Sequence, residues 1–200
     1  MKKKARSKLG LRLKGFYLLT LFFIAGCATP SREVSPPTAS ITASTKVAIL
    51  PFYNISGYRD AGKIVANVFV TEMFKSGRFR VEEPGNIAHF MIQERIDTVG
   101  EIEIERLKIL GKRLGVDAVM TGTVEEFDDG RGGVSSVPTV SITARMISSN
   151  TGQLIWSAQN KKRGDDYIVI LDLGEVKSLT TLTQKVVVEM ISTIQHNTIQ

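Results

Sequence analysis

From Lys46 to the end of the chain, the spacing of apolar positions changes repeatedly, and each change marks an element. "KVAILPFYN" is apolar on both alternating faces, Val47 and Ile49 against Ala48 and Leu50. That pattern predicts a strand covered on both sides. "DAGKIVANVFVTEMFKSG" places Ile64, Val65, Val68, Phe69 and Met73 on one helical stripe. Asp60 is expected to cap its start, and Gly77 to end it in the left-handed region. "FRVEE" reads as a short strand. "PGNIAHFMIQERI" reads as a helix with Ile87, Phe90 and Met91 inward, and "IEIERLKILGKRLG" as another through Ile104, Leu107, Leu110 and Leu114, stopped by Gly115. "VDAVMTGTVEEF" returns to a strand. "PTVSITARMISS" and "GQLIWSAQNKK" form a hairpin turning at Asn150-Thr151-Gly152. "SLTTLTQKVVVEMISTI" closes the chain with Leu182, Val186, Met190 and Ile194 on one face. The order β-α-β-α-α-β-β-β-α predicts an α/β domain, a mixed sheet with helices on its faces. There is no internal repeat.

The start of the chain has a different character. Residues 1–15 carry seven Lys or Arg and no acid, and residues 16–25 are almost wholly apolar. A basic segment followed by about ten apolar residues and small ones makes an export signal. The run is shorter than the roughly 20 residues a spanning helix needs, and the flanking charges argue against a buried core helix. Ile24-Ala25-Gly26-Cys27 then resembles the lipobox of bacterial lipoproteins, and Cys27 is the only cysteine. In such proteins the thiol receives a diacylglyceryl group, the signal peptidase cuts before the Cys with Ile24, Ala25 and Gly26 as its recognition residues, and the new amino terminus is N-acylated. The small side chains give the peptidase access beside a bulky lipid, and the thiolate is the nucleophile. Two or three acyl chains, at about 0.8 kcal/mol per buried CH₂, anchor durably where one does not. Ala28 and Thr29 stand where an Asp would retain such a protein at the inner membrane of a Gram-negative cell. The expected address is therefore the periplasmic side of the outer membrane.

This division changes the meaning of the formal charge of +6. Without the leader, 19 basic residues face 20 acidic ones. There is no basic domain and no basic run with interleaved aromatics, which excludes a nucleic-acid partner. With no second cysteine, no internal disulfide can form. Residues 28–45, "ATPSREVSPPTASITAST", are too poor in large apolar side chains to order themselves and read as a tether. Fully extended, they would reach about 60 Å. The expected organisation is a signal peptide over 1–26, the lipidated Cys and linker over 27–45, and one domain over 46–200.

Candidate chemistry is sparse. His89 lies on a predicted helix and His196 near the end of the chain, neither with an evident partner. Nucleophile and metal signatures such as G-x-S-x-G or H-E-x-x-H are absent. The carboxylate pairs Glu125-Glu126, Asp128-Asp129 and Asp165-Asp166 are adjacent, and adjacent strand residues point to opposite faces. That is the wrong arrangement for an acid and a base flanking one bond. No enzyme, metal or soluble cofactor is expected; the covalent lipid on Cys27 is the only prosthetic group implied. What stands out is "DYIVILDLGEV", 166–176, with more apolar residues than an exposed loop tolerates. It is either a further strand or tucked connection completing the core, or a subunit interface through Tyr167, Ile168, Ile170 and Leu171. Trp156 carries the same two readings.

"VAILPFYNISG", "GRFRVEE", "LGKRLGVDAVMTGTVEEF" and "VSITARMISSNTGQLIWSAQ" together resemble the CsgG-like outer-membrane lipoproteins, which take in curli-secretion and Pel-export proteins and, more distantly, the lipoprotein activator of peptidoglycan synthase. The likeness covers about residues 45–163. It implies a three-layer α/β/α domain that often assembles into rings at the periplasmic face of the outer membrane. The departure is at the membrane-crossing hairpins of the curli pore, whose strands need about 9–11 alternating residues each. "DDGRGGVSSV" is too short and polar for that, and 164–177 could supply one strand at most. The resemblance therefore implies a lipid-anchored, uninserted, non-enzymatic export or assembly component with envelope protein partners and copies of itself. The alternative is a binding module that activates a peptidoglycan synthase, for which an 18-residue tether is short. Cys27→Ser should leave the protein unprocessed or released from membranes, read by fractionation and intact mass; a matured, membrane-bound Cys27→Ser protein would refute the anchor.

Overall fold

The computed structural model describes residues 45–96, 102–131, 137–170 and 173–194. The lipobox residues Ile24, Ala25, Gly26 and Cys27, together with Leu171 and His196, lie outside them. The elements are β1 (Lys46–Ile49), β2 (Tyr53–Asn54), α1 (Ala61–Lys75), β3 (Arg80–Val81), α2 (Pro84–Gln93), α3 (Ile104–Leu114), β4 (Ala118–Asp128), β5 (Thr139–Ser148), β6 (Leu154–Arg163), a 3₁₀ turn (Gly164–Tyr167) and α4 (Leu179–Ser192).

The sheet runs β3-β1-β4-β5-β6, with β2 also pairing to β4. β1 is parallel to β3 and β4, with Val47 opposite Ala118 and Ile49 opposite Met120. β2 continues the parallel edge at Tyr53 and Asn54. β4, β5 and β6 form an antiparallel meander. This is the mixed sheet that the sequence pattern predicts, and β1 explains why both of its faces are apolar. Val47 and Ile49 join one core with Val65, Phe69, Met73, Leu182, Val186 and Met190, under α1 and α4. Ala48 and Leu50 join a second core with Ile87, Phe90, Leu107 and Leu110, under α2 and α3. Each large side chain so buried contributes about 1.5–3 kcal/mol before entropy is counted.

The third layer is shorter than a full α/β/α sandwich. The sheet residues buried by α2 and α3 lie on β1, at Val119 and at Ile147. Farther along β4–β6 the same face carries Thr121, Thr123, Thr143, Arg145 and Gln159, matched across the strands by register. Alternation there is apolar toward α1 and α4, polar away from them, as in a one-sided antiparallel sheet.

Two local expectations are corrected. Asp60 does stand at the N-cap of α1, but in a left-handed conformation with φ 59°, and its side chain makes no cap hydrogen bond. Ile104 does not face the core: it is 51% exposed and lies over the Gly152 turn, at the end of α3 that overhangs the sheet. Gly77 and Gly115 do hold the left-handed conformation expected of helix stops, φ 65° and 61°. Gly122 is needed for a different reason. A Cβ there would sit 2.2 Å from the Thr143 carbonyl oxygen and 2.7 Å from the Phe52 ring. Gly122→Ala should therefore destabilise the domain by about 1–3 kcal/mol through overpacking. Thermal unfolding should show a fall of about 2–4 °C per kcal/mol.

Candidate functional site

The segment after β6 is the least conventional part of the structure. Its neck is closed by two backbone bonds: Gly164 donates to the Pro138 carbonyl at 2.9 Å, and Val176 donates to the Gly164 carbonyl at 3.0 Å. At the turn, the Arg163 guanidinium meets Asp165 with two 3.0 Å hydrogen bonds, and the Arg163 amide donates to Asp166 at 2.8 Å. The guanidinium holds the Asp165 carboxyl below its ordinary range. Tyr167 turns inward against the main core, and its hydroxyl donates to Glu189 on α4 at 2.7 Å. Burial first, and then the neighbouring Glu189 carboxylate, raise the Tyr167 phenol above its usual range. Lys185 lies 4.7 Å from the ring centroid.

Beyond this anchor the chain turns back on itself. Val169 donates to the Leu173 carbonyl and Leu173 to the Ile170 carbonyl, both at 2.8 Å. The result is a tight tip whose side chains face outward, with Val169 76%, Ile170 65% and Leu173 73% exposed and Ile168 at 39%. The two readings of 166–176 thus divide between residues. Tyr167 and Val176 complete the core, while Ile168 and Ile170 stand in solvent with Val169 and Leu173. Trp156 is half-buried against the core, and its Nε1–H donates to Thr193 Oγ1 at 3.0 Å.

The tip stands at the end of the sheet where β4 finishes and β5 begins. The same end carries an open cleft of about 440 Å³ lined by Tyr58, Phe127, Asp129, Arg131, Lys177 and the first residues of α4. Tyr58 and Phe127 meet edge to face there, 5.1 Å between centroids. At the opposite end, Thr45 leads into β1. β4 has 11 residues, so the two ends are about 33 Å apart.

The carboxylates singled out in the sequence are committed to structure. Glu125 follows Thr121 and Thr123 onto the open polar face, and the slip of the β4–β5 ladder between Val124 and Glu126 brings Phe127 back to the core side with Val124. On the polar face Glu125 accepts from Thr143 at 2.6 Å, Ser141 at 2.7 Å and Gln159 at 3.0 Å. Glu126 pairs with Lys161 at 2.5 Å, and Asp129 with Arg131 at 3.9 Å. Asp128 accepts from the Gly130 amide at 2.9 Å. His89 is exposed and paired with Gln93 on the same helix at 2.8 Å. Among the described residues no group of three or more His, Cys, Asp or Glu could hold a metal ion, and no helix is long and apolar enough to cross a membrane.

No protein-family model matches the chain, and no curated protein does. Solved structures do match. A PelC dodecamer from Paraburkholderia phytofirmans superposes with a TM-score of 0.55 and 18% identity, over 79% of this chain and 94% of that one. The domain shares its fold with PelC. Lipoprotein GNA1162 from Neisseria meningitidis follows with a TM-score of 0.53 and 21% identity, over 74% of this chain and 98% of that one. The C-terminal domain of LpoB from Escherichia coli matches more loosely, with a TM-score of 0.46 and 11% identity over 62% and 85%. PelC is among the Pel-export proteins to which the sequence resemblance points, and the likeness is one of fold.

The Thr143 and Ser141 hydroxyls, opposed by burial and helped by Gln159 and Lys161, lower the Glu125 carboxyl below its ordinary value of 4.5. A carboxyl lowered in the folded state adds stability above its unfolded value, and that stability is lost as pH falls through the folded one. Glu125→Gln should therefore flatten the decline in stability below about pH 4.5, measured by urea unfolding across pH 3–7. A decline of unchanged slope would show that Glu125 is not linked to folding.

Proposed function

We propose that the protein is a lipid-anchored component of the cell envelope. It is held through Cys27 on the periplasmic side of the outer membrane and acts without catalysis in an export or assembly system, as a ring of copies. The observation that carries this reading is the apolar tip of Ile168, Val169, Ile170 and Leu173, exposed in the single chain yet braced at its neck and through Tyr167. Contiguous exposed apolar side chains of this kind mark association surfaces. The fold shared with PelC, whose structure is a dodecamer, supports assembly of copies. The lipobox-like Ile24-Ala25-Gly26-Cys27 supports the anchor. The carboxylates' structural commitments support a role in contact rather than in bond-making.

The test is the mass of the full-length, detergent-solubilised protein by light scattering. Several copies per particle are expected, and Ile170→Ser with Leu173→Ser should shift the population toward single chains without lowering Tm. A strict monomer at every concentration would overturn the ring. Co-purification with a wall synthase, together with stimulation of its rate, would favour the regulatory alternative instead.

A further inference from the structure

The apolar tip has a concave counterpart on the same chain. Where α1 and α4 end side by side, a groove of about 330 Å³ opens between them. Val188 and Ile191 line it from α4, and Glu72, Lys75, Ser76 and Arg78 from the other side. Val188 is 46% exposed there. Glu72 adds little free charge, because Lys75 and Gln184 each donate to its carboxylate at 2.8 Å. An apolar cavity of about 150 Å³ holds a benzene-sized group, so the groove has room for two aliphatic side chains.

One chain does not fill its own groove. Tyr167, which anchors the tip, meets Lys185 and Glu189 of α4, whereas Gln184, Val188 and Ile191 turn toward α1. Neighbouring helix positions differ by about 100° in direction, so knob and groove lie on different faces of α4. Val169, Ile170 and Leu173 stay in solvent on one face, and Val188 on the other.

The charges beside the two surfaces are of opposite sign. Arg78 donates to the Ile191 carbonyl at 3.2 Å and to the Ile194 carbonyl, and it has no carboxylate partner among the described residues. At the foot of the tip, Asp166 accepts from the Arg163 amide at 2.8 Å and has no ion-pair partner among the described residues. Such a pair sets orientation more than affinity. A knob and a hole on different faces of one chain make contacts between unlike patches, and these close into rings when the rotation permits.

We infer that the tip of one copy docks in the groove between α1 and α4 of the next, with Ile170 and Leu173 seated on Val188 and Ile191 and Asp166 brought to the Arg78 guanidinium. Every copy then gives one contact and receives one. This names the acceptor for the association surface proposed above, and it rests on that reading.

The experiment mixes two full-length, detergent-solubilised variants. The tip variant, Ile170→Ser with Leu173→Ser, keeps its groove; the groove variant, Val188→Lys, keeps its tip. Each alone should scatter light as single chains, and an equimolar mixture should form pairs of one chain of each kind, because one tip and one groove remain. A groove variant that assembles as the unaltered chain does would overturn the acceptor and leave the ring standing. An unaltered chain that is itself single at every concentration would overturn both. A gentler substitution gives a second measurement, in chains that carry Cys27→Ser so that introduced thiols are the only ones. Leu173→Cys chains should form mixed disulfides with Val188→Cys chains at least about tenfold faster than with Ile92→Cys chains, whose Ile92 is 77% exposed on α2. Equal rates would refute the docking.

Discussion

The whole domain hangs on the pairing of β1 with β4. β1 has only four residues, yet its alternate side chains feed both cores: Val47 and Ile49 toward α1 and α4, Ala48 and the adjoining Leu50 toward α2 and α3. A strand buried on both faces must satisfy its backbone entirely within the sheet, and β1 does so through parallel partners on each side. Lys46 secures the start of the strand. Its amide donates to Asp117 at 2.8 Å, and its ammonium reaches the Leu114 carbonyl and the buried Glu82 carboxylate. Burial opposes ionisation of Glu82, but Lys46 and Asn86 outweigh it and lower the carboxyl. β1 thus ties the helix pair on one face to the helix pair on the other.

Sequence periodicity shows this arrangement because burial is what periodicity records. Leu182, Val186 and Met190 of α4 are all buried, as is Ile194 just past its end, and so are Ile87, Phe90 and Met91 of α2. Where the pattern misleads, the cause is local. Ile104 continues the spacing of Leu107 and Leu110, but it meets the Gly152 turn rather than the core and stays half exposed. Asp60 has the right chemistry for a cap, but its backbone is left-handed and its carboxylate makes no cap hydrogen bond, lying instead 3.8 Å from the Lys63 ammonium. The bulge at Glu125 leaves no mark in residue type, because a Glu beside a Glu reads the same in a regular strand or a slipped one.

The surface carrying the functional reading was half legible. An excess of apolar residues over 166–176 shows that something must be covered, but composition alone cannot divide the segment. Tyr167 belongs to the core because Glu189, 22 residues later, presents a carboxylate to its hydroxyl. Val169, Ile170 and Leu173 stay outside because a tight reversal, with Leu173 bonded to both Val169 and Ile170, lifts them off the sheet. Both facts depend on partners distant in sequence or on turn geometry, and neither is written in hydrophobicity. The same holds for the open polar face of β4–β6, where Ser141 and Thr143 serve Glu125.

The closed neck at Gly164 has an evolutionary consequence. Because the Pro138 and Val176 bonds seal the segment where it leaves the fold, the exposed residues past Ile168 can be exchanged without reaching any buried side chain. Stickiness and foldability are therefore under separate control. Drift could retune what this protein adheres to, or abolish it, one exposed side chain at a time, while the scaffold beneath stays unaltered.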